Sequence, residues 1–184
     1  TNMKIEGKKE VREMALDIIA YEGIDKLTMS HLAESLRISK ATLYHYYKSK
    51  EEILEDIYIS GHQALMHKGF KLSLDGSSEK ILLSATGPWL DLFTSEDTAA
   101  YLRMIFSLHL TDERAAEEYR SLSLMLYSQA EVIIGAITKG GLKEEKLYAS
   151  LFSSLLITSL ERILEEEAVD LESDIRAFAS ILEK

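Results

Sequence analysis

The sequence predicts an all-α protein. A single proline and nine glycines in 184 residues leave long stretches without a helix breaker. Apolar residues recur three and four apart, and side chains that cap helix starts stand repeatedly just ahead of such runs. A 46% hydrophobic content supplies a sizeable core. About nine helices are expected, with no repeat, low-complexity stretch or loop-rich linker between them, so that the parts should be rigidly joined.

The first helix is amphipathic through Val11, Ala15, Ile18 and Ile19 and stops at Glu22-Gly23. Thr28 has the hydroxyl of an N-cap and opens a second helix whose Met29, Leu32, Ala33 and Leu36 share one buried face. After the turn Arg37-Ile38, Ser39 caps a third, short helix. Leu43 and Tyr47 point inward there, and Lys40, Ala41, Thr42, Tyr44, His45 and Lys48 outward. Ser49 with Glu52 three residues on forms a capping box, which opens a long helix from Glu51 to about Leu74. The turn Asp75-Gly-Ser-Ser78 ends it, and an apolar segment from Ile81 to Phe93 follows. Pro88 lacks an amide and crowds the carbonyl of Ser84, so a kink or break is expected there. Further helices are expected at about Ser95 to Leu110, at Asp112 to Lys139 with Gly140-Gly141 as the stop, at Lys143 to about Ala168, and at Leu171 to Leu182 after the cap Asp170.

The second and third helices read as a helix-turn-helix. An outward face that is basic, hydroxylated and aromatic, with a small Ala41 permitting close approach, suits a DNA major groove. Lysine and hydroxyl groups grip phosphates, whereas His and Lys can reach base edges. The chain carries a formal charge of −10. Residues 26–50 nonetheless hold Lys26, Arg37, Lys40, Lys48 and Lys50 against the single acid Glu34. Positive charge is therefore concentrated where DNA would lie.

Residues 8–54 resemble the N-terminal domain of the tetracycline-repressor (TetR) family of transcriptional regulators. The likeness is carried by the amphipathic first helix, the Glu22-Gly23 stop, Thr28, Leu32-Ala33, Ile38-Ser39, Thr42-Leu43-Tyr44 and the ending Tyr47-Lys48-Ser49-Lys50-Glu51. It implies phosphate contacts from Thr28, Thr42, Tyr44, Lys48 and Lys50, and sequence reading by Ser39, Lys40, Ala41 and His45. It also implies a DNA-binding domain over residues 1–50 and a helical effector-binding and dimerisation domain over 51–184. One departure stands out: the family pattern usually has glycine where this chain has Arg37, and a side chain there must take a left-handed conformation or shift the turn.

For a homodimer, the expected interface lies on the last two helices, at Leu151, Leu155, Ser159, Ile175, Phe178 and Leu182. A dimer would read a palindromic operator in double-stranded DNA. Candidate contacts for a small-molecule effector are the polar and aromatic residues at apolar helical positions: His62, Met66, Trp89, Phe93, Tyr101, Met104 and Tyr127, with Gln63, His109 and Gln129 also considered. Core packing is the competing explanation for most of them.

No cofactor or metal is expected. The chain has no cysteine, which removes disulfides and thiolate sites and fits a reducing cytoplasm. Metalloprotease and di-iron helix motifs, phosphate loops and nucleophile elbows are all missing, so an enzyme is not expected. Nor does any apolar run approach a membrane span or signal peptide. Thr1-Asn2 precede Met3 and are either a cloning remnant or part of a longer start. The expected function is a cytoplasmic, ligand-released repressor. The alternative is an architectural or cell-organisation protein that uses the same head without an effector.

Overall fold

The structure, a computed structural model, describes residues 7–68, 73–141 and 143–183. Thr1-Asn2 and the stretch 69–72, which falls within the expected long helix, lie outside them. The described residues are helical throughout, without a strand. Helix α1 (Lys8–Asp17) runs into a π turn at Ile18–Glu22, followed by a 3₁₀ turn at Ile24–Lys26. Then come α2 (Met29–Ser35), α3 (Lys40–Tyr46) and α4 (Lys50–His67). The body continues through α5 (Ser78–Thr94), α6 (Ala99–Leu108), α7 (Glu113–Thr138), α8 (Glu145–Leu164) and α9 (Leu171–Leu182).

Four helices start on the cap the sequence nominates, at Thr28, Ser39, Ser49 and Asp170, and Ser77 and Asp112 cap two more. The N-cap oxygens of Thr28, Ser39, Ser77, Asp112 and Asp170 accept from the amides of His31, Thr42, Lys80, Ala115 and Ser173. At α4 the capping box is shifted. Ser49 accepts from the Glu52 amide at 3.3 Å, but the Glu52 carboxylate reaches the amide of Lys48 at 2.7 Å, one residue ahead of the cap. That hydrogen bond, with Lys8 beside it, holds the Glu52 carboxyl below its usual range.

Three expectations about the body are corrected. The helix expected to reach Leu74 stops at His67, with Lys68 already extended and Gly69 next in sequence, a residue that gives up the most freedom in a helix. Pro88 does not break its helix: α5 continues from Ser78 to Thr94. Ile81, Leu82 and Ala85 before the proline, and Trp89, Leu92 and Phe93 after it, are all buried, so that both halves are anchored in the core. Ser84, whose carbonyl loses its amide partner, is exposed and can be met by water. Finally, α7 and α8 each contain an 18-residue window of mean hydropathy 1.3, so two helices do have the length and composition of a span. Scattered Ser121, Ser123, Ser128, Gln129 and Glu131 mask this in the letters of α7. The two helices pack along each other as a hairpin, and their outer sides remain uncovered.

The core is continuous from head to body. Val11, Ala15, Leu32, Leu43, Tyr47 and Ile53 are fully buried in the head, and Leu82, Trp89, Leu102, Met104 and Phe152 in the body. Helix α1 packs on α2, α3 and α4, and together with the π turn also on α6. The head therefore rests directly on the body.

Candidate DNA interface

The turn between α2 and α3 sets the angle of the recognition helix. Ile38 N–H donates to Ala33 O at 3.0 Å and Arg37 N–H to Glu34 O at 2.9 Å, the pair of bonds that closes a helix around a left-handed residue. Arg37 is that residue, at φ 54°. Of the two outcomes open to a side chain here, the chain takes the left-handed one and keeps the turn, at a cost of about 1 kcal/mol relative to glycine. Ile38 is buried against the end of α2 and locks the entry to α3.

Inside this frame Leu43 and Tyr47 face the core, and Lys40, Ala41, Tyr44, His45 and Lys48 are exposed. Thr42 is half-buried, its hydroxyl 2.8 Å from Ser39 Oγ. Thr28 and Ser39 are exposed, and a cap hydroxyl that accepts an amide still has its own proton to donate. Two lysines are held in place: Lys48 Nζ donates to Tyr44 O at 2.9 Å, which steadies the end of α3, and Lys50 Nζ donates to Ile24 O at 2.8 Å. His45 lies edge-on to Tyr46, with ring centres 5.6 Å apart. Eight of the nine sequence-nominated DNA residues thus fall on α3, its caps and its immediate flanks, and the ninth, Thr28, caps α2.

Two polar networks not foreseen from the sequence hold the head. Around Asp56 on α4 gather the Tyr47 hydroxyl and, at 3.3 Å, the Arg12 guanidinium. Burial works to raise the Asp56 carboxyl, but the Tyr47 and Arg12 hydrogen bonds outweigh it and hold the group below its usual range. Burial and the same hydrogen bond push the Tyr47 phenol up. The second network joins α4 to α7: Tyr58 OH donates to Asp112 at 2.7 Å, Arg114 pairs with Glu55 and lies 4.4 Å over the Tyr58 ring, and His62 meets Glu118 at 2.9 Å. Positions 55, 58 and 62 share one face of α4, the only sequence signal this seam leaves.

The effector candidates are dispersed. Trp89 is buried and donates to Gln129 Oε1 at 2.9 Å, Phe93 packs edge-on against Phe106, and Met104 is core. Met66 and Gln63 are exposed; His62 is tied to Glu118; Tyr127 OH reaches Glu131 at 3.2 Å; and His109 stacks on Tyr119. Tyr101 alone of them lines a cavity of about 690 Å³ between α1, α4 and α6, together with Leu16, Asp17, Ile57, Gly61 and Ala64. The Tyr101 hydroxyl is buried without a hydrogen-bond partner among the described residues, and its ring fills the space a Cβ on Gly61 would need. Of the expected dimer residues, Ser159, Ile175 and Phe178 are packed inside the single chain, with Phe178 against Phe152 across α8 and α9. Core packing claims these three. Leu151 is exposed and Leu155 and Leu182 half-buried, and beside them Leu147 and Ile181 are exposed as well.

A capped helix-turn-helix with an exposed cationic recognition helix, mounted on a helical body, defines a DNA-binding transcriptional regulator. Residues 12–57 match the family described as bacterial regulatory proteins, tetR family. A relative from Bacillus subtilis (strain 168), an uncharacterized HTH-type transcriptional regulator YdeS, is 27% identical over 164 residues, covering 83% of this chain and 80% of its own length. Among solved structures, the TetR family transcriptional regulator PfmR from Thermus thermophilus is 21% identical and superposes with a TM-score of 0.61 over 94% of this chain and 96% of its own. A transcriptional regulator from Saccharomonospora viridis, solved in complex with choline, is 17% identical, with a TM-score of 0.62 over 94% and 93% of the two chains. The family match is thus confined to the N-terminal residues 12–57, while the whole chain resembles transcriptional regulators, which are not enzymes.

Proposed function

We propose that the protein is a ligand-released repressor that acts in the cytoplasm and occupies a palindromic operator as a homodimer, with residues 1–50 as the DNA-binding domain and 51–184 as the effector and dimerisation domain. The observation that carries this reading is the course of α4. It begins at Lys50 beside the recognition helix and is fastened to α7 by Tyr58–Asp112, Glu55–Arg114 and His62–Glu118. A change in the body's packing is thereby passed to the head as a change in its position. Thr28, Thr42, Tyr44, Lys48 and Lys50 grip phosphates, and Ser39, Lys40, Ala41 and His45 read bases.

The effector site that best fits this reading is the cavity between α1, α4 and α6, because a molecule lodged there touches head and body at once. Choline in the Saccharomonospora viridis relative supports a small-molecule role for such a body. The ligand has only to bind the released arrangement better than the DNA-bound one, and a coupling of about 1–3 kcal/mol changes DNA affinity roughly 5- to 150-fold.

Selection of bound duplexes from a random DNA pool, followed by titration of the winner at several salt concentrations, tests the proposal. Enrichment of a palindrome with a steep salt slope supports a dimeric operator binder. Weak, salt-sensitive binding with no enriched sequence overturns it in favour of an architectural DNA-binding protein.

A further inference from the structure

Among the described residues, three with side chains adopt left-handed backbone at helix ends: Arg37, Lys139 and Glu166. Strain alone therefore marks nothing, and the three differ in their surroundings. Glu166 has a structural partner in Arg103 at 3.3 Å, and Lys139 is followed at once by Gly140, itself at positive φ. Arg37 sits between the two helices of the DNA-reading unit, exposed, and makes no side-chain hydrogen bond or ion pair among the described residues. Even Glu34, one turn back and also exposed, does not capture it.

The neighbouring cations sharpen the contrast. Lys48 and Lys50 commit their ammonium groups to the carbonyls of Tyr44 and Ile24. Arg37 stands two residues before Ser39, the cap of α3, and Lys40 follows that cap, so its guanidinium, unpaired among the described residues, lies at the leading edge of the recognition helix. A planar guanidinium carries five donors in a fork that matches two oxygens of a phosphate. We propose that Arg37 is a DNA-positioning residue that clamps a backbone phosphate beside the N-terminal end of α3, and that the strained turn is kept for that contact. The clamp fixes how deep and at what tilt α3 enters the groove, and it carries no base information itself. It rests on the reading of α3 as the recognition helix.

The test uses the full chain and the duplex recovered by selection, with unrelated duplex as a second probe. Arg37→Gln removes the charge and keeps a side chain at the strained position; Arg37→Gly removes both. Each should lower affinity for both duplexes and reduce the slope of log affinity against log salt by about 0.9, the share of one phosphate. Arg37→Gly should at the same time raise the melting temperature by about 2–4 °C, because glycine tolerates the left-handed turn. A Gln variant with the parent salt slope overturns the proposal. Lys48→Ala serves as the control: a slope lowered by Lys48→Ala but not by Arg37→Gln defeats the clamp alone, whereas parent slopes in both defeat the placement of α3 itself.

Discussion

The outward face of α3 and the outward faces of α8 and α9 are both exposed to solvent and chemically opposite. On α3 the exposed positions are Lys40, Ala41, Tyr44, His45 and Lys48, a surface that water solvates well and a polyanion solvates better. On α8 and α9 they include Leu147, Leu151 and Ile181, flanked by half-buried Leu155 and Leu182. That surface gains roughly 25 cal/mol for each square ångström it hides from water. The face on α3 is well solvated on its own, while the face on α8 and α9 leaves apolar side chains in water. The two faces thus suit two different forces: charge on α3, which fits DNA, and burial on α8 and α9, which fits the second copy proposed above.

Placing charge on the apolar face should have the largest effect. Leu147→Glu combined with Leu151→Glu alters two residues that are exposed in the single chain, so the fold itself should change by less than about 0.5 kcal/mol. Association should weaken by about 2 kcal/mol or more, since central apolar anchors dominate interfaces. Sedimentation equilibrium should show the parent as a dimer and the variant as a monomer, with operator affinity falling alongside. If the double variant stays dimeric, α8 and α9 do not form the interface, and the contrast between the two faces loses its meaning.

The two regions also differ in how far they can be read from the letters. The head is specified locally. Thr28, Ser39 and Ser49 each act on an amide three residues away, so the helix-turn-helix and its outward face follow from short-range spacing. Even the Arg37 departure could be posed in advance as a choice between two turn geometries. In the body the decisive contacts join residues far apart in the chain. Tyr58–Asp112 and Trp89–Gln129 leave no local pattern beyond a shared helix face, and they appear only once the helices are packed; in the head, Arg12–Asp56 is hidden from the letters in the same way. Ser159, Ile175 and Phe178 show the same limit: apolar or small residues on a terminal helix read alike whether they meet their own chain or another. The cavity lies deeper still beyond the letters, because it is the space left between α1, α4 and α6 once they have packed.

The seam between the regions offers a mid-sized test. Burial works to raise the Asp112 carboxyl, but the hydrogen bond from Tyr58, the amides of Ala115 and Arg114, and the Arg114 charge together hold it below the usual range. A carboxylate lowered in the folded state adds stability that is fully present above the ordinary aspartate value, near 3.9, and is lost as pH falls through the lower folded value. Asp112→Asn should therefore cost about 1 kcal/mol at neutral pH in urea unfolding, with the difference from the parent shrinking below about pH 4. A cost that stays constant down to pH 2 would mean that packing, not charge, joins α4 to α7.

Asp17, in the wall of the cavity, should give the smallest effect and one of opposite sign. Its carboxyl is raised, first by burial and then by Glu13 one turn back on the same helix, and no side-chain partner among the described residues offsets this. A carboxylate raised in the folded state subtracts stability at neutral pH, and that loss is recovered as pH falls through the folded value towards the ordinary one. Asp17→Asn should gain a few tenths of a kcal/mol at pH 7, as expected for a substitution outside the core, and the gain should vanish by about pH 4. Running the same unfolding titrations on Asp112→Asn and Asp17→Asn places a stabilising and a destabilising carboxylate on either side of α4, both at the border between head and body. Opposite signs at pH 7 that converge in acid would locate an electrostatic asymmetry about α4: a stabilising carboxylate at its α7 side and a destabilising one on α1, in the wall of the cavity, where an occupant that neutralised or paired Asp17 would relieve it.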